Sequence, residues 1–317
     1  MTRSRFEKIA FTGLGALLAS AIVLGVTHVA VAQAPADATY KGMNLCVLCH
    51  KVKHPVIAEA FPKTAHPKAL RTPDEEGAIV AKFDEDSPVS KADIAYILGV
   101  GKRKQAYIGK DGKTLPGQWD VKNSKWIRQE VVDGMTQCVP CHVTGMDMKT
   151  KAWNEKGITC ESCHGAGSAH ATTGDKTKIN NPKTLTPERS AMLCGQCHAR
   201  GTTLDGTMPR SMTYKFGDDL SKHIKLAEVK GPAANQQYNE WLGSKHATSG
   251  VTCTGCHDIH GPGSANPGQL KKAEKELCSG CHAADLAKPE HPKLTDAMKC
   301  GLCHMPQGTH TFKMPGQ

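Results

Sequence analysis

The chain has 317 residues, a formal net charge of +10, 5% aromatic and 22% charged residues, and a mean hydropathy of −0.41. That is thin material for an ordinary side-chain core of this length, so something other than aliphatic and aromatic packing has to fill the interior. The basic balance is not the footprint of a nucleic-acid module, and Lys102-Arg103-Lys104 reads as a solvated turn.

Residues 1–32 read as an export signal. Arg3, Arg5 and Lys8 precede an apolar stretch from Ile9 to Ala32 with no acidic residue after Glu7, and Ala30-Val31-Ala32-Gln33-Ala34 offers cleavage after Ala32 or Ala34. The stretch approaches the roughly 20 residues a membrane span needs, so an uncleaved anchor is the alternative, weakened by His28 and three glycines. Membrane contact is expected only in that case. No cysteine lies near the cleavage site, which argues against a lipoprotein. The expected location is the periplasm or the cell surface and extracellular space.

Beyond the signal, seven copies of Cys-x-x-Cys-His use all 14 cysteines. They are Cys46 and Cys49 with His50, Cys138 and Cys141 with His142, Cys160 and Cys163 with His164, Cys194 and Cys197 with His198, Cys253 and Cys256 with His257, Cys278 and Cys281 with His282, and Cys300 and Cys303 with His304. This is the attachment pattern of haem c: two thiols add to the vinyl groups and the adjoining histidine becomes the proximal iron ligand. Disulfides or four-cysteine zinc sites leave the seven histidines unexplained. Seven covalent haem c groups are therefore expected, about one for every 41 residues of the mature chain. Their propionates, about 14 carboxylates, account for the basic excess of the protein.

Motif spacing divides the rest of the chain. Residues 33–70 hold the first haem site, 71–137 form an insert without haem, and 138–317 carry six haems. In the insert, Lys91 to Val100 is read as a short helix and Gln105 to Trp119 as a hairpin turning at Asp111-Gly112. The 31 glycines and 18 prolines predict long irregular connections. The fold class expected is a multihaem cytochrome c: mostly irregular, with short α-helices around a haem array, one small β-hairpin and little sheet.

Of the 16 histidines, seven are proximal and His28 lies in the signal, leaving His54, His66, His170, His223, His246, His260, His291 and His310 as distal candidates. Eight candidates for seven irons imply bis-histidine coordination with one histidine to spare, a state that closes the iron to substrate and suits electron transfer. His170 and His260 stand too close after His164 and His257 to reach the opposite face of their own haems, so each is assigned to a neighbour. No catalytic residue is proposed.

The run Cys138-Val-Pro-Cys-His-Val-Thr-Gly, then Trp153, then Gly157-Ile-Thr-Cys-Glu-Ser-Cys-His-Gly-Ala-Gly-Ser-Ala-His170 resembles the multihaem c-type cytochromes of the cytochrome c-554 type. That group is related to the haem arrays of hydroxylamine oxidoreductase and octahaem tetrathionate reductase. Ser244-Lys-His246-Ala, Cys253-Thr-Gly-Cys-His-Asp-Ile-His260-Gly and Cys300-Gly-Leu-Cys-His-Met-Pro fit it as well. The resemblance implies distal roles for His246 and His260, and by analogy His66. The chain departs from its relatives in having no Cys-x-x-Cys-Lys motif and no eighth haem motif.

The resulting expectation is an exported carrier that passes single electrons in anaerobic or extracellular respiration, between a quinol-linked donor and a terminal reductase or outer-membrane conduit. The alternatives are a reductase of a small nitrogen or sulfur compound at one pentacoordinate haem, and a homo-oligomeric conductive filament.

Overall fold

Cysteines three apart with a histidine one residue further are spaced to share one face of a helix. The structure folds these segments accordingly, as short helices joined by irregular chain. It is a computed structural model that describes residues 32–208, 213–231, 233, 235–261, 266–293, 295 and 298–313; the segment expected to be an export signal, up to residue 31 and with His28, lies outside the described residues. From Val31 onward the chain is one compact unit, within which all three regions expected from motif spacing fall.

Helix α1 (Met43–Lys53) carries the Cys46 motif and gives way at His54 to α2 (Pro55–Ala60), whose first residue is a proline that needs no N–H there. Strands β1 (Leu70–Arg71), β2 (Ile94–Leu98), β3 (Lys104–Gly109), β4 (Gly117–Asp120) and β5 (Lys125–Arg128) form an antiparallel sheet in chain order. Helix α3 (Gly134–Gln137) and a 3₁₀ turn at Val139–Cys141 hold the Cys138 motif, followed by the paired β6 (Val143–Thr144) and β7 (Glu155–Lys156). Then come α4 (Cys160–His164), α5 (Ser168–Thr173) and α6 (Pro187–His198), and the pair β8 (Gly201–Thr202) and β9 (Lys225–Leu226). The chain closes with α7 (Gln237–Leu242), α8 (Lys245–Thr248), α9 (Cys253–Cys256), α10 (Glu274–Leu286) and α11 (Cys300–His304).

Two expectations for the insert met different outcomes. The hairpin forms as read: Gln105 pairs with Trp119, and the chain reverses at Gly112, whose φ of 79° favours glycine. It is the centre of a five-stranded sheet, more sheet than one hairpin. Lys91–Val100 is not a helix but a 3₁₀ turn at Lys91–Asp93 leading into β2. The run Ile94-Ala-Tyr-Ile-Leu is rich in β-branched and aromatic residues, and pairing on both sides, with β1 and β3, settles it as a central strand.

Side-chain core is confined to three small clusters. Ala78, Val89, Ile94, Ile97 and Tyr107 lie on one side of the sheet. Leu70, Leu98, Ile108, Val139 and Val143 join the sheet to the Cys138 motif. Ala191, Met192, Ala199, Leu220, Ile224, Tyr238 and Trp241 pack α6 on α7. Within the sheet Gln105 is fully buried yet satisfied: its amide donates to Ala78 O at 2.8 Å, and its oxygen accepts from Val80 N and the Tyr107 hydroxyl.

Gly157 fixes the junction between the first motif's segment and the third motif. Its φ is +77°, and a Cβ there would overlap the Pro67 carbonyl, while the next residue, Ile158, donates its N–H to His66 O at 2.8 Å. Replacing Gly157 with Ala is expected to destabilise the holo protein by about 2–3 kcal/mol, read as a melting temperature lower by about 5 °C or more.

Candidate functional site

Each motif places its two cysteines on one short stretch of helix or turn. Cys46 and Cys49 lie on α1, Cys160 and Cys163 on α4, Cys194 and Cys197 on α6, Cys253 and Cys256 on α9, Cys278 and Cys281 on α10, and Cys300 and Cys303 on α11. Cys138 caps and Cys141 ends the 3₁₀ turn after α3. Cys197 occupies the last turn of α6, half-buried and directly before His198, whereas Cys49, Cys281 and Cys303 are exposed. None of the 14 cysteines is joined in a disulfide, including Cys194 and Cys197, which is the state that haem attachment requires.

The motif histidines are not scattered. Six of them face, ring to ring, a histidine from outside the motifs. The centroid separations are 6.2 Å for His50–His170, 6.2 Å for His198–His66, 6.2 Å for His164–His260, 6.1 Å for His257–His310, 6.0 Å for His282–His246 and 6.4 Å for His304–His291. Two imidazoles on opposite sides of one metal ion stand at about this distance: two metal–nitrogen bonds of about 2 Å, plus about 1.1 Å from each nitrogen to its ring centre, give about 6.2 Å. The residues present therefore fit an iron held between two histidines. Interplanar angles run from 15° in His291–His304 to 86° in His66–His198.

The rings are oriented from behind. His142 Nδ1 lies 2.8 Å from Ala69 O, His164 Nδ1 2.9 Å from Asn180 O, His257 Nδ1 2.7 Å from Gly268 O and His304 Nδ1 3.2 Å from Lys313 O. His170 and His291 use Asp175 O and Pro292 O in the same way, at 3.0 and 2.9 Å. A carbonyl only accepts, so each Nδ1 carries the proton, and Nε2 is left with the lone pair a metal needs. Burial works in the same direction. It lowers the pKa of His50, His164, His246, His260 and His310, and brings His66 to about 4 with help from nearby His198 and His257. Neutral imidazole is the ligating form.

Two distal candidates behave differently. His54 lies one helical turn from His50, with ring centroids 5.2 Å apart, about 1 Å too close for an iron between them. His223 has both ring nitrogens engaged, Nδ1 at 2.9 Å from Thr213 Oγ1 and Nε2 at 3.0 Å from Asp218 Oδ2, and it sits edge-on to Tyr214.

A residue that motif reading passed over, Glu161, lies between Cys160 and Cys163 and is buried. Its carboxylate accepts from Lys41 N at 3.0 Å, Gly42 N at 2.7 Å and Gly167 N at 2.7 Å, while Glu155 accepts from Met43 N at 2.9 Å. Glu161 thus sits where α1 and α5 both begin, with the positive ends of two helices and three amides replacing its water. Its position inside a haem motif was the only signal in the sequence. The Glu161→Ala variant is expected to leave these amides unmet and to cost about 3 kcal/mol or more, measured by denaturant unfolding of the holo protein.

Among the described residues no helix is long and apolar enough to cross a membrane. Residues 245–287 match the family described as the doubled CXXCH motif, and residues 110–165 match cytochrome c554 and c-prime. The multiheme cytochrome MtrA of Shewanella baltica is 29% identical over 161 residues, 49% of this chain and 37% of that protein. The dissimilatory sulfite reductase MccA of Wolinella succinogenes is 24% identical over 170 residues, 48% of this chain and 22% of that protein. The chain thus spans well under half the length of either curated relative. Among solved structures, the outer cell wall cytochrome OcwA aligns over 86% of this chain and 79% of its own, with a TM-score of 0.71 at 23% identity. The undecaheme cytochrome from the S-layer of Carboxydothermus ferrireducens aligns over 88% and 53%, with a TM-score of 0.55 at 23% identity. With attachment motifs on short helices, histidines facing one another across the space of an iron, and this fold, the chain is a multihaem c-type cytochrome carrying covalent haem c.

Proposed function

We propose that the protein is an exported single-electron carrier with seven haem c groups, most or all of them bis-histidine. The observation that carries this is the set of six facing imidazole pairs at 6.0–6.4 Å, each joining one motif histidine to one histidine from elsewhere. Haem c, when bound, supplies a one-electron Fe(II)/Fe(III) couple. The chain's own part would be to offer a neutral ring to each side of the iron, with five of those rings, His164, His170, His257, His291 and His304, fixed by Nδ1–H bonds to backbone carbonyls. Ligands held in both oxidation states need little rearrangement, and small molecules find no open iron at these six positions. In this reading the two thiols of each motif carry its haem, Cys194 and Cys197 that of the fourth. His50, His164, His198, His257, His282 and His304 are proximal, and His170, His260, His66, His310, His246 and His291 are their distal partners. His142 is proximal to a seventh haem. Two candidates, His54 and His223, stand outside these six pairs; of them His223, occupied by Thr213 and Asp218, is taken as the surplus histidine.

The surroundings proposed are the periplasm or cell surface, with redox proteins as partners: a quinol-linked donor on one side, and a terminal reductase or outer-membrane conduit on the other. The relatives named for an outer cell wall and an S-layer support this placement.

Mass spectrometry of the mature protein is expected to show seven haem additions and loss of the signal. Electron paramagnetic resonance of the oxidised protein is expected to show low-spin ferric haem throughout. One high-spin signal that responds to sulfite, nitrite or hydroxylamine would instead favour a reductase, a reading to which the partial match with MccA lends weight. His310→Ala is expected to convert one low-spin haem to high-spin without changing the haem count, and His223→Ala to change neither.

A further inference from the structure

The contacts between motifs do not follow their order in the chain. The first motif is separated from the second by the whole insert, yet it lies against the third. Helix α1 packs on α4 there, and the Glu161 carboxylate clamps the approach. Cys253 of the fifth motif likewise packs on the cluster that holds Ala191 and Met192 of α6, and α10 packs on α11. The last pair is reinforced by Glu274 at the start of α10, which accepts from Gly301 N of α11 at 2.5 Å. Between these three couples, His66, whose carbonyl accepts from Ile158 N beside the third motif at 2.8 Å, faces His198 of the fourth, and His246, whose carbonyl accepts from Val251 N beside the fifth motif at 2.9 Å, faces His282 of the sixth.

The imidazoles give the same neighbours independently. His170, which faces His50, is also close to His164. His66, which faces His198, is close to His257, and His310, which faces His257, is close to His198.

We infer that six motifs stand in one file in the order Cys46, Cys160, Cys194, Cys253, Cys278, Cys300, with its terminals at the Cys46 and Cys300 motifs. This rests on the haem reading above and adds an order and two ends to it. Both terminal motifs carry a leucine between their cysteines that faces solvent, Leu48 at 55% and Leu302 at 69% exposure. A reduced one-electron donor protein gives up its electron at one terminal, and an oxidised acceptor protein takes one at the other, so the file is unchanged after each transfer. The Cys138 motif is fastened to the side of the third motif, where Thr144 Oγ1 meets Thr159 Oγ1 at 3.0 Å and Ser162 Oγ at 2.7 Å.

The test uses holo protein and electron paramagnetic resonance of the ferric state. His170→Ala, His260→Ala and His291→Ala are each expected to give one high-spin haem at unchanged haem count. In the double variant His170→Ala/His260→Ala the two high-spin irons belong to neighbouring motifs, and their signals are expected to broaden by magnetic coupling. In His170→Ala/His291→Ala the irons sit at opposite ends, and the spectrum is expected to equal the sum of the singles. Coupling in the second double variant, or none in the first, overturns the order. If the single variants give no high-spin haem, the ligand reading fails, and the order is then judged by haem deletion in otherwise unaltered protein. Removing the haem of an inner motif with Cys253→Ala/Cys256→Ala is expected to perturb two remaining signals, and removing a terminal one with Cys300→Ala/Cys303→Ala to perturb one. Two perturbed signals from the terminal deletion, or fewer than two from the inner one, would overturn the file on that ground.

Discussion

The structure depends on one constraint above others: pairs of neutral imidazoles must face each other across about 6 Å, the space of an iron and its two bonds. One member of each pair is locked into a short helix by the Cys-x-x-Cys-His spacing. The other is delivered by whatever part of the chain happens to be near. His66 comes from the segment after α2 to face His198 at the end of α6, and His310 comes from beyond α11 to face His257. Every such pair ties two remote segments, so the pairs do the work that a continuous hydrophobic core does in an ordinary domain. The side-chain core is correspondingly small, three clusters of five to seven residues.

Around the pairs, polar groups are placed to keep the rings neutral and still. Backbone carbonyls of Ala69, Asn180, Gly268 and Lys313 take the Nδ1 protons of motif histidines. Loops without regular structure are suited to this, because their carbonyls are not committed to helix or sheet ladders. The irregularity of the chain is in this sense functional: it frees acceptors at the points where ring orientation has to be set. Glu161 shows the complementary device, a buried carboxylate whose three amide donors come from the beginnings of two helices, holding the first motif against the third.

The insert is the part that behaves like a conventional fold. Its sheet has a satisfied buried Gln105 and aromatic packing of Phe83, Tyr107, Trp119 and Trp126. The hairpin at Asp111-Gly112 was legible because turn chemistry is local. The strand at Ile94–Leu98 was misread as helix because its state is decided by two flanking partners, β1 and β3, which a short window of sequence does not contain.

The sequence alone determined the chemistry. All 14 cysteines and seven histidines stand at spacings set by bond lengths within one helical turn, so haem c attachment followed without any knowledge of the fold. It also bounded the distal ligands, by counting the histidines outside the motifs. Only the tertiary structure decided which histidine faces which, that His223 is engaged by Thr213 and Asp218, and that the first motif lies beside the third although the second intervenes in the chain. The physical reason is the range of the interactions: covalent attachment is written in five consecutive residues, whereas an imidazole pair closes a loop of arbitrary length, and only the packed chain brings its two ends together.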